Sequence, residues 1–273
     1  MNNAQQVVLV TGASSGIGEA TAQRLLTAGY RVYGTSRRIS KHTQRPFPML
    51  ELDVTSDESV ATAVNTLLSR EGRIDILINN AGFGVAPAGA EESSIAQAHA
   101  LFDTNFMGIV RMTRAVVPHM RKQGQGRIIN IGSILGVVPM PYVALYAASK
   151  HAVEGYSEAL DHELRTRGIR VSVIEPAYTR TQFEANNLEA DAKLSEYSDI
   201  RDRLARVVRQ AMSTADTPDV VAEVVLKAAQ ASRPRLRYTA GKTAGQLQFM
   251  RRFAPAGVLD AGIRKTLQLD RKV

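Results

Sequence analysis

Val7-Val8-Leu9-Val10-Thr11-Gly12-Ala13-Ser14-Ser15-Gly16-Ile17-Gly18 is the stretch from which the rest of the chain can be read. Its first four residues are all aliphatic, as in a strand whose two faces are both covered. Three spaced glycines follow, then a helical pattern over 17–28. Gly12 permits a tight turn, Gly16 lets backbone approach a pyrophosphate, and Gly18 allows the helix to pack close to the strand. The helix start presents unbonded amides and a positive dipole end to phosphate. Strand before and helix after, this turn points to a dinucleotide held by Gly12, Ser14, Ser15, Gly16, Ile17 and Gly18.

The same alternation continues outward. Strand patterns fall at 7–10, 31–35, 48–52, 74–79, 126–131, 170–174 and 235–239, separated by helical patterns at 17–28, 58–70, 95–123, 146–167 and 218–231. Such βα repetition predicts an α/β fold, a Rossmann-like doubly wound parallel sheet with helices on both faces. The length of 273 residues suits a single domain. Residues 1–240 are expected to form the binding and catalytic part. An irregular insertion at about 183–217 lies beyond a strand end, where a substrate lid belongs. Residues 241–273 form a basic extension.

Composition narrows the function. There is no cysteine, which excludes disulfides, a thiol nucleophile and thiolate metal sites. The histidines at 42, 99, 119, 151 and 162 make no ligand pattern, so no metal is expected. No apolar run is long enough to span a bilayer and the first residues lack a secretory pattern, so the expected location is cytoplasmic. The net charge of +8 is concentrated late: residues 201–273 hold 15 Lys/Arg against 6 Asp/Glu. A basic tail suits anionic cofactors, nucleic acid or an acidic membrane surface; a solvated surface is the plainer reading. Aromatics are not interleaved with these charges, which argues against nucleic acid. Residues 247–259 mix Phe249, Met250, Phe253 and Val258 with Arg251 and Arg252; packing on the domain or a subunit interface is preferred over peripheral membrane contact.

The second strand runs into Ser36-Arg37-Arg38, and no acid occurs between Arg31 and Leu50. An NAD site usually places a carboxylate here for the ribose 2′-hydroxyl. Arginine instead pairs with a 2′-phosphate. Arg37 is the first candidate, with Arg38, Ser36 and Ser14 beside it, so the expected cofactor is NADP(H). The alternative is that both arginines are plain surface charges.

Tyr146-Ala147-Ala148-Ser149-Lys150 puts a phenol and an ammonium four residues apart, on one helical face. A fixed cation favours the phenolate, so Tyr146 can act as acid/base while Lys150 also reaches the ribose hydroxyls. Ser133 ends the strand 126–131 region and is placed to bond the substrate oxygen. Asn79-Asn80-Ala81-Gly82 ends another strand with amides and a flexible glycine, suited to a turn at the cofactor. Tyr142 is a rival phenol, but its partner four residues on is Tyr146, so it is read as pocket lining. Leu135, Val137, Val138, Pro139 and Met140 join it as candidate apolar lining.

The glycine turn, Asn79–Gly82, Asn105, Ser133, Tyr146 and Lys150, in this order, resemble the short-chain dehydrogenase/reductase family over nearly the whole chain. The resemblance implies a tetrad of Asn105, Ser133, Tyr146 and Lys150, with Asn105 disturbing its helix and anchoring a water in a proton relay. It implies that Asp53 accepts from the adenine amino group and Val54 offers backbone contact, although Asp53 also reads as a helix-start acid. It implies that Asn80, Ala81, Gly82, Pro176 and Thr179 line the cofactor. A homodimer or homotetramer and a small alcohol or carbonyl substrate, lipophilic in character, complete the expectation. The sequence departs from the family's Pro-Gly in Glu175-Pro176-Ala177-Tyr178-Thr179, where a turn at the proline is still expected and Tyr178 adds bulk. Two rivals remain: an NADPH-binding sensor without turnover, and a nucleotide-sugar isomerase or dehydratase, which would need a larger C-terminal domain.

Overall fold

Val7 and Leu9 face one layer of helices and Val8 and Val10 the other, so the opening strand is buried on both sides. The computed structural model describes residues 5–39, 44–183 and 187–269. His42, residues 184–186 of the expected lid and residues 270–273 of the extension lie outside the described residues.

The strands are β1 (Val7–Val10), β2 (Arg31–Ser36), β3 (Met49–Glu51), β4 (Ile76–Asn79), β5 (Gly126–Ile131), β6 (Ile169–Pro176) and β7 (Arg237–Ala240). They form one sheet in the order β3-β2-β1-β4-β5-β6-β7, every pair parallel. The helices are α1 (Gly16–Thr27), α2 (Asp57–Glu71), α3 (Ile95–Phe102), α4 (Gly108–Gln123), α5 (Ala144–Leu164), α6 (Ser198–Ser213), α7 (Pro218–Gln230), α8 (Lys242–Phe253) and α9 (Ala256–Thr266). This is the expected Rossmann-like sheet. The chain leaves β1 toward one edge, returns at β4 and proceeds to the other, which opens a crevice at the carboxyl ends of β1 and β4.

Each face has its own core. Leu9, Leu77, Ile128 and Val171 meet α2, α4 and α5 through Leu67, Met112, Val116 and Leu160. Val10, Ile78, Ile129 and Ile174 meet α1 and α7 through Leu25, Val221 and Val225. A third cluster lies over the ligand side: Ile200 and Leu204 of α6 pack with Leu267, Ile263, Met140 and Tyr142. The extension therefore folds back onto the region of the expected lid.

Three local expectations need correction. The helix read as continuous over 95–123 is broken by a π-helical turn, Asp103–Met107, between α3 and α4. Hydrophobic periodicity does not register a single extra residue, and Pro118 sits inside α4 without ending it. Pro176 is still paired, opposite Ala240, so the chain leaves the sheet at Ala177 and not at the proline; β7 lies on the far side of β6 and carries the ladder further than an isolated strand would. Finally, Phe249, Phe253 and Val258 are not packed on the domain: they are 65%, 63% and 56% exposed, while Leu259 turns inward at 6%.

Helix α5 is tied to β6 by Asp161, which is 1% exposed. Its Oδ1 accepts from Val171 N and Arg170 Nε, both at 2.8 Å, and its Oδ2 from Arg165 Nη2 at 2.5 Å. Burial works against the carboxylate, but these donors outweigh it and hold the group down at about 2. A depressed folded value adds stability above the ordinary carboxyl range near ~4, and that stability is lost as pH falls through about 2. Asp161→Asn should lower the unfolding free energy at pH 7, read from urea denaturation, by roughly 3 kcal/mol for one broken buried pair. It should also flatten the decline of stability in acid. An acid limb of stability identical to that of the unaltered chain would remove Asp161 from this role.

Candidate active site

The glycine turn bends because Gly12 and Gly16 take φ of +65° and +59°, backbone space that a Cβ disfavours. Ser15 caps α1 in position only: its side chain makes no capping bond, so the first-turn amides are left for another acceptor. At this helix start lies a cleft of about 670 Å³ lined by Ser15, Gly16, Glu19, Arg180, Thr181 and Met212. Gly18 has no room for a side chain, since a Cβ there would stand 2.3 Å from the Gly12 carbonyl oxygen and 2.4 Å from Asn80 Nδ2. Ile17 packs into the second core. The uncapped first-turn amides fit a pyrophosphate.

Asn80 joins the turn to β4. Its Nδ2 donates to the Thr11 and Gly12 carbonyls at 3.0 Å each, and Thr11 Oγ1 accepts from Asn80 N and Ala81 N. Gly82 lies against Asn105, whose Oδ1 would be 3.0 Å from an added Cβ. Beyond β2, Arg37 and Arg38 are exposed and in no ion pair among the described residues, while Ser36 Oγ accepts weakly from Arg38 N at 3.4 Å. Asp53 Oδ1 accepts from Thr55 N and Oγ1 in a tight turn ahead of α2, with Ser56 as the helix cap. Burial opposes its charge, but those bonds and the nearby Arg37 and Arg111 hold its carboxyl below the usual range. Val54 packs under Gly108. Thr179 Oγ1 donates to the Ala177 carbonyl, and its backbone bridges to Asp216.

Ser133, just beyond β5, and Tyr146, in the first turn of α5, are brought close enough for the serine hydroxyl to act on the phenol. Lys150 Nζ lies 5.6 Å from the Tyr146 ring centroid and donates to the Ile131 carbonyl at 2.9 Å. The expected acidification of the phenol is not what this geometry gives. Burial pushes Tyr146 up to about 12 and the Ser133 bond recovers only part of that, while burial drives Lys150 down to about 8 against the pull of Glu154. Tyr146 thus rests protonated at neutral pH. The Asn105 side chain sits in the π-helical turn, 1% exposed, and is fully engaged: it accepts from Phe83 N at 3.0 Å and donates to the Phe83 carbonyl at 2.8 Å. A longer contact of 3.4 Å reaches Ser149 Oγ, which donates to the Tyr146 carbonyl. Asn105 therefore fastens the loop after β4 to the helix that carries Tyr146 and Lys150.

Four residues that sequence reasoning passed over belong to this region. Arg45 Nη2 donates to the Ser14 carbonyl at 2.6 Å, and its Nε pairs with Glu19 at 3.4 Å beside the glycine turn. Phe183 sets its ring edge-on to Tyr146, centroids 5.9 Å apart. Glu154 and Glu175 are buried behind Lys150. Only a rule that flags acids inside strand and helix patterns could have found the last two. Tyr142 holds φ of +65°, a strained state for a tyrosine, with its ring against Tyr197. The described part of the expected lid is bonded along the loop after β4: Leu188 bridges Val85, and Asp191 accepts from Ser94 N and Oγ.

Residues 6–192 match the family model described as short chain dehydrogenase. The chain is 40% identical over 238 residues to the 3-ketodihydrosphingosine reductase of Bacteroides thetaiotaomicron, an alignment covering 86% of this chain and 88% of the relative. It is 34% identical over 282 residues to retinol dehydrogenase 8 of Bos taurus, covering 95% and 89%. Among solved structures, a short chain dehydrogenase from Burkholderia cenocepacia J2315 in complex with NADP superposes with a TM-score of 0.76 at 27% identity, covering 96% of this chain and 99% of that one.

Gly18→Ala should destabilise the chain by about 1–3 kcal/mol, because the neighbours of its Cβ are a backbone carbonyl and a bonded amide that cannot swing aside. Thermal unfolding reads this directly; an unchanged midpoint would show that the turn yields.

Proposed function

The chain belongs to the short-chain dehydrogenase family, and from that premise we propose that it is an NADP(H)-dependent oxidoreductase working on a lipophilic carbonyl or secondary alcohol with Tyr146 as acid/base. The observation that carries this reading is the convergence of Ser133, Tyr146 and Lys150 at the strand ends, on the same side as the glycine turn. When bound, the nicotinamide supplies hydride in reduction and takes it up in oxidation. The chain's own groups handle position and protons. Gly12, Ser14, Ser15, Gly16, Ile17 and Gly18 hold the pyrophosphate, Asp53 and Val54 the adenine, and Asn80, Ala81, Gly82, Pro176 and Thr179 the nicotinamide half. Tyr146, resting protonated, gives its proton to a carbonyl oxygen as negative charge develops there; Ser133 donates to the same oxygen. Lys150 holds the ribose hydroxyls and places a cation beside the phenol as it ionises. Asn105 keeps the loop after β4 and α5 in register for this.

Arg37 and Arg38, exposed, in no ion pair among the described residues and with no acid near them in sequence, favour a 2′-phosphate. The activities of two relatives, a ketosphingolipid reductase and a retinol dehydrogenase, favour a lipophilic substrate. The apolar wall of Met140, Tyr142 and Phe183 suits one. Residues 183–217 serve as the substrate lid and 241–273 as an extension of the same domain. A homodimer or homotetramer in the cytoplasm is the working form, on the family resemblance and the sequence reading alone. No helix among the described residues is long and apolar enough to cross a membrane.

Tyr146→Phe should cut turnover of lipophilic ketones and alcohols, followed by nicotinamide absorbance, by about 10³-fold or more. NADPH binding should persist. Turnover at the original rate would reject Tyr146 as the acid, and absence of turnover in both proteins despite tight NADPH binding would favour a sensor. Arg37→Asp should weaken NADPH by roughly 10-fold or more, one to two charge-assisted bonds, and leave NADH nearly unchanged. Equal weakening of both would show that Arg37 does not read the 2′-phosphate.

A further inference from the structure

Behind Lys150 the sheet and two helices enclose a charge system that hydride transfer does not itself use. Glu154 lies one helical turn after Lys150 on α5 and is 6% exposed; Glu175, near the end of β6, is 0% exposed. Both flank the guanidinium of Arg237 from β7. Its Nε donates to Glu154 Oε2 at 2.9 Å but stands 3.7 Å from Glu175 Oε1, and its Nη2 donates to the half-exposed Glu158 at 2.8 Å. From α8, Gln248 Nε2 donates to Glu175 Oε2 at 2.8 Å. The Oε1 atoms of Glu154 and Glu175 have no hydrogen-bond partner among the described residues. The backbone around Ser133 rests on the same acid: a Cβ at Gly132 would be 3.2 Å from Glu154 Oε1, and one at Gly136 would be 3.1 Å from Glu154 Cγ.

Two carboxylates buried beside one guanidinium cannot both be ionised without a large cost. The geometry divides them. Glu154 takes the Arg237 hydrogen bond and lies one turn from Lys150 on its own helix; burial pushes its carboxyl up, and the Arg237 guanidinium pulls it back. Glu175 has the longer approach to Arg237 and a neutral amide as its donor, and burial together with Glu154 pushes it up to about 7. Glu175 is therefore the carboxyl that takes a proton more readily and Glu154 the one that keeps its charge. We propose that Glu154 is a positioning residue that keeps Lys150 cationic at neutral pH, and that Glu175, held by Gln248 of α8, is the member of the pair that yields to it by taking a proton first. The catalytic consequence rests on the proposed function; the charge relation itself does not. It also gives the C-terminal extension a task, since α8 supplies the donor that holds Glu175.

The test is a pH titration by NMR of the full chain labelled with ¹³C at lysine Cε, the Lys150 signal identified by its loss in Lys150→Ala. Burial already holds Lys150 near 8 with Glu154 present. In Glu154→Gln the Lys150 midpoint should fall by about one unit, the loss of one nearby opposite charge. Glu154→Asp, which keeps the charge, should restore it. Glu175→Gln should move the midpoint less than Glu154→Gln does, because Glu154 is the carboxylate that acts on Lys150. A midpoint unmoved in a Glu154→Gln protein shown by circular dichroism to be folded would overturn the proposal. So would equal falls in the Glu154 and Glu175 variants, which would mean a diffuse effect of the cluster. The titration needs neither substrate nor nucleotide, so its failure leaves the hydride-transfer reading intact, whereas missing turnover with a normal titration would strike that reading alone.

Discussion

At the carboxyl ends of β1 and β4 one asparagine side chain and one threonine hydroxyl bond two strands that diverge immediately afterwards. Asn80 Nδ2 takes the carbonyls of Thr11 and Gly12, while Thr11 Oγ1 takes the amides of Asn80 and Ala81. The connection reverses here: the ladder bond from Thr11 N to the Ile78 carbonyl reaches the start of the turn, and the side-chain bonds carry the link on to the loop after β4. Gly18 is required because any side chain would occupy the place of that amide. From Phe83 the connection continues through Asn105 and Ser149 to the Tyr146 carbonyl, so that a path of hydrogen bonds runs from the loop after β4 to the helix that carries Tyr146 and Lys150.

Burial opposes charge throughout the interior of this site, and each group answers differently. Asp161 collects enough donors to stay ionised well into acid. Tyr146 has one serine and stays neutral. Lys150, with a backbone carbonyl and a carboxylate one turn away, sits between these extremes. In the proposed function the tyrosine is a reservoir of one proton, released to a negative oxygen arriving in front of it. That is consistent with an acid that acts on demand in a water-poor setting, where a permanently ionised phenolate would have no compensating partner.

How much of this was legible in the sequence follows from the range of the signals. The βα alternation and the glycine turn are local, and residue order was enough to place them. Ser133, Tyr146 and Lys150 were readable because a strand end and a helical i, i+4 spacing are themselves geometric statements. What sequence reading missed depends on contacts across long separations. Arg45 reaches Ser14 over a loop, and Glu154 meets Arg237 from β7, 83 residues away. No pattern within either segment announces the other. The exposure of Phe249 and Phe253 was hidden for the same reason, since an apolar side chain reports a preference and only the packed partner decides whether it is met.

The π-helical turn at Asp103–Met107 has a consequence for how this chain can change. A regular helix advances by ~100° per residue, so one additional residue taken up in a wider turn sets α3 and α4 out of phase by about that angle. Deleting any single residue in the turn would leave composition, apolar content and helix propensity almost untouched, and would even restore the more favourable bonding of an unbroken helix. It would also rotate Asn105 away from Phe83, or else swing Met112 and Val116 out of the core. The number of residues between Leu101 and Gly108 is therefore constrained as tightly as the identity of the asparagine among them, a restriction on length that no comparison of residue types would reveal.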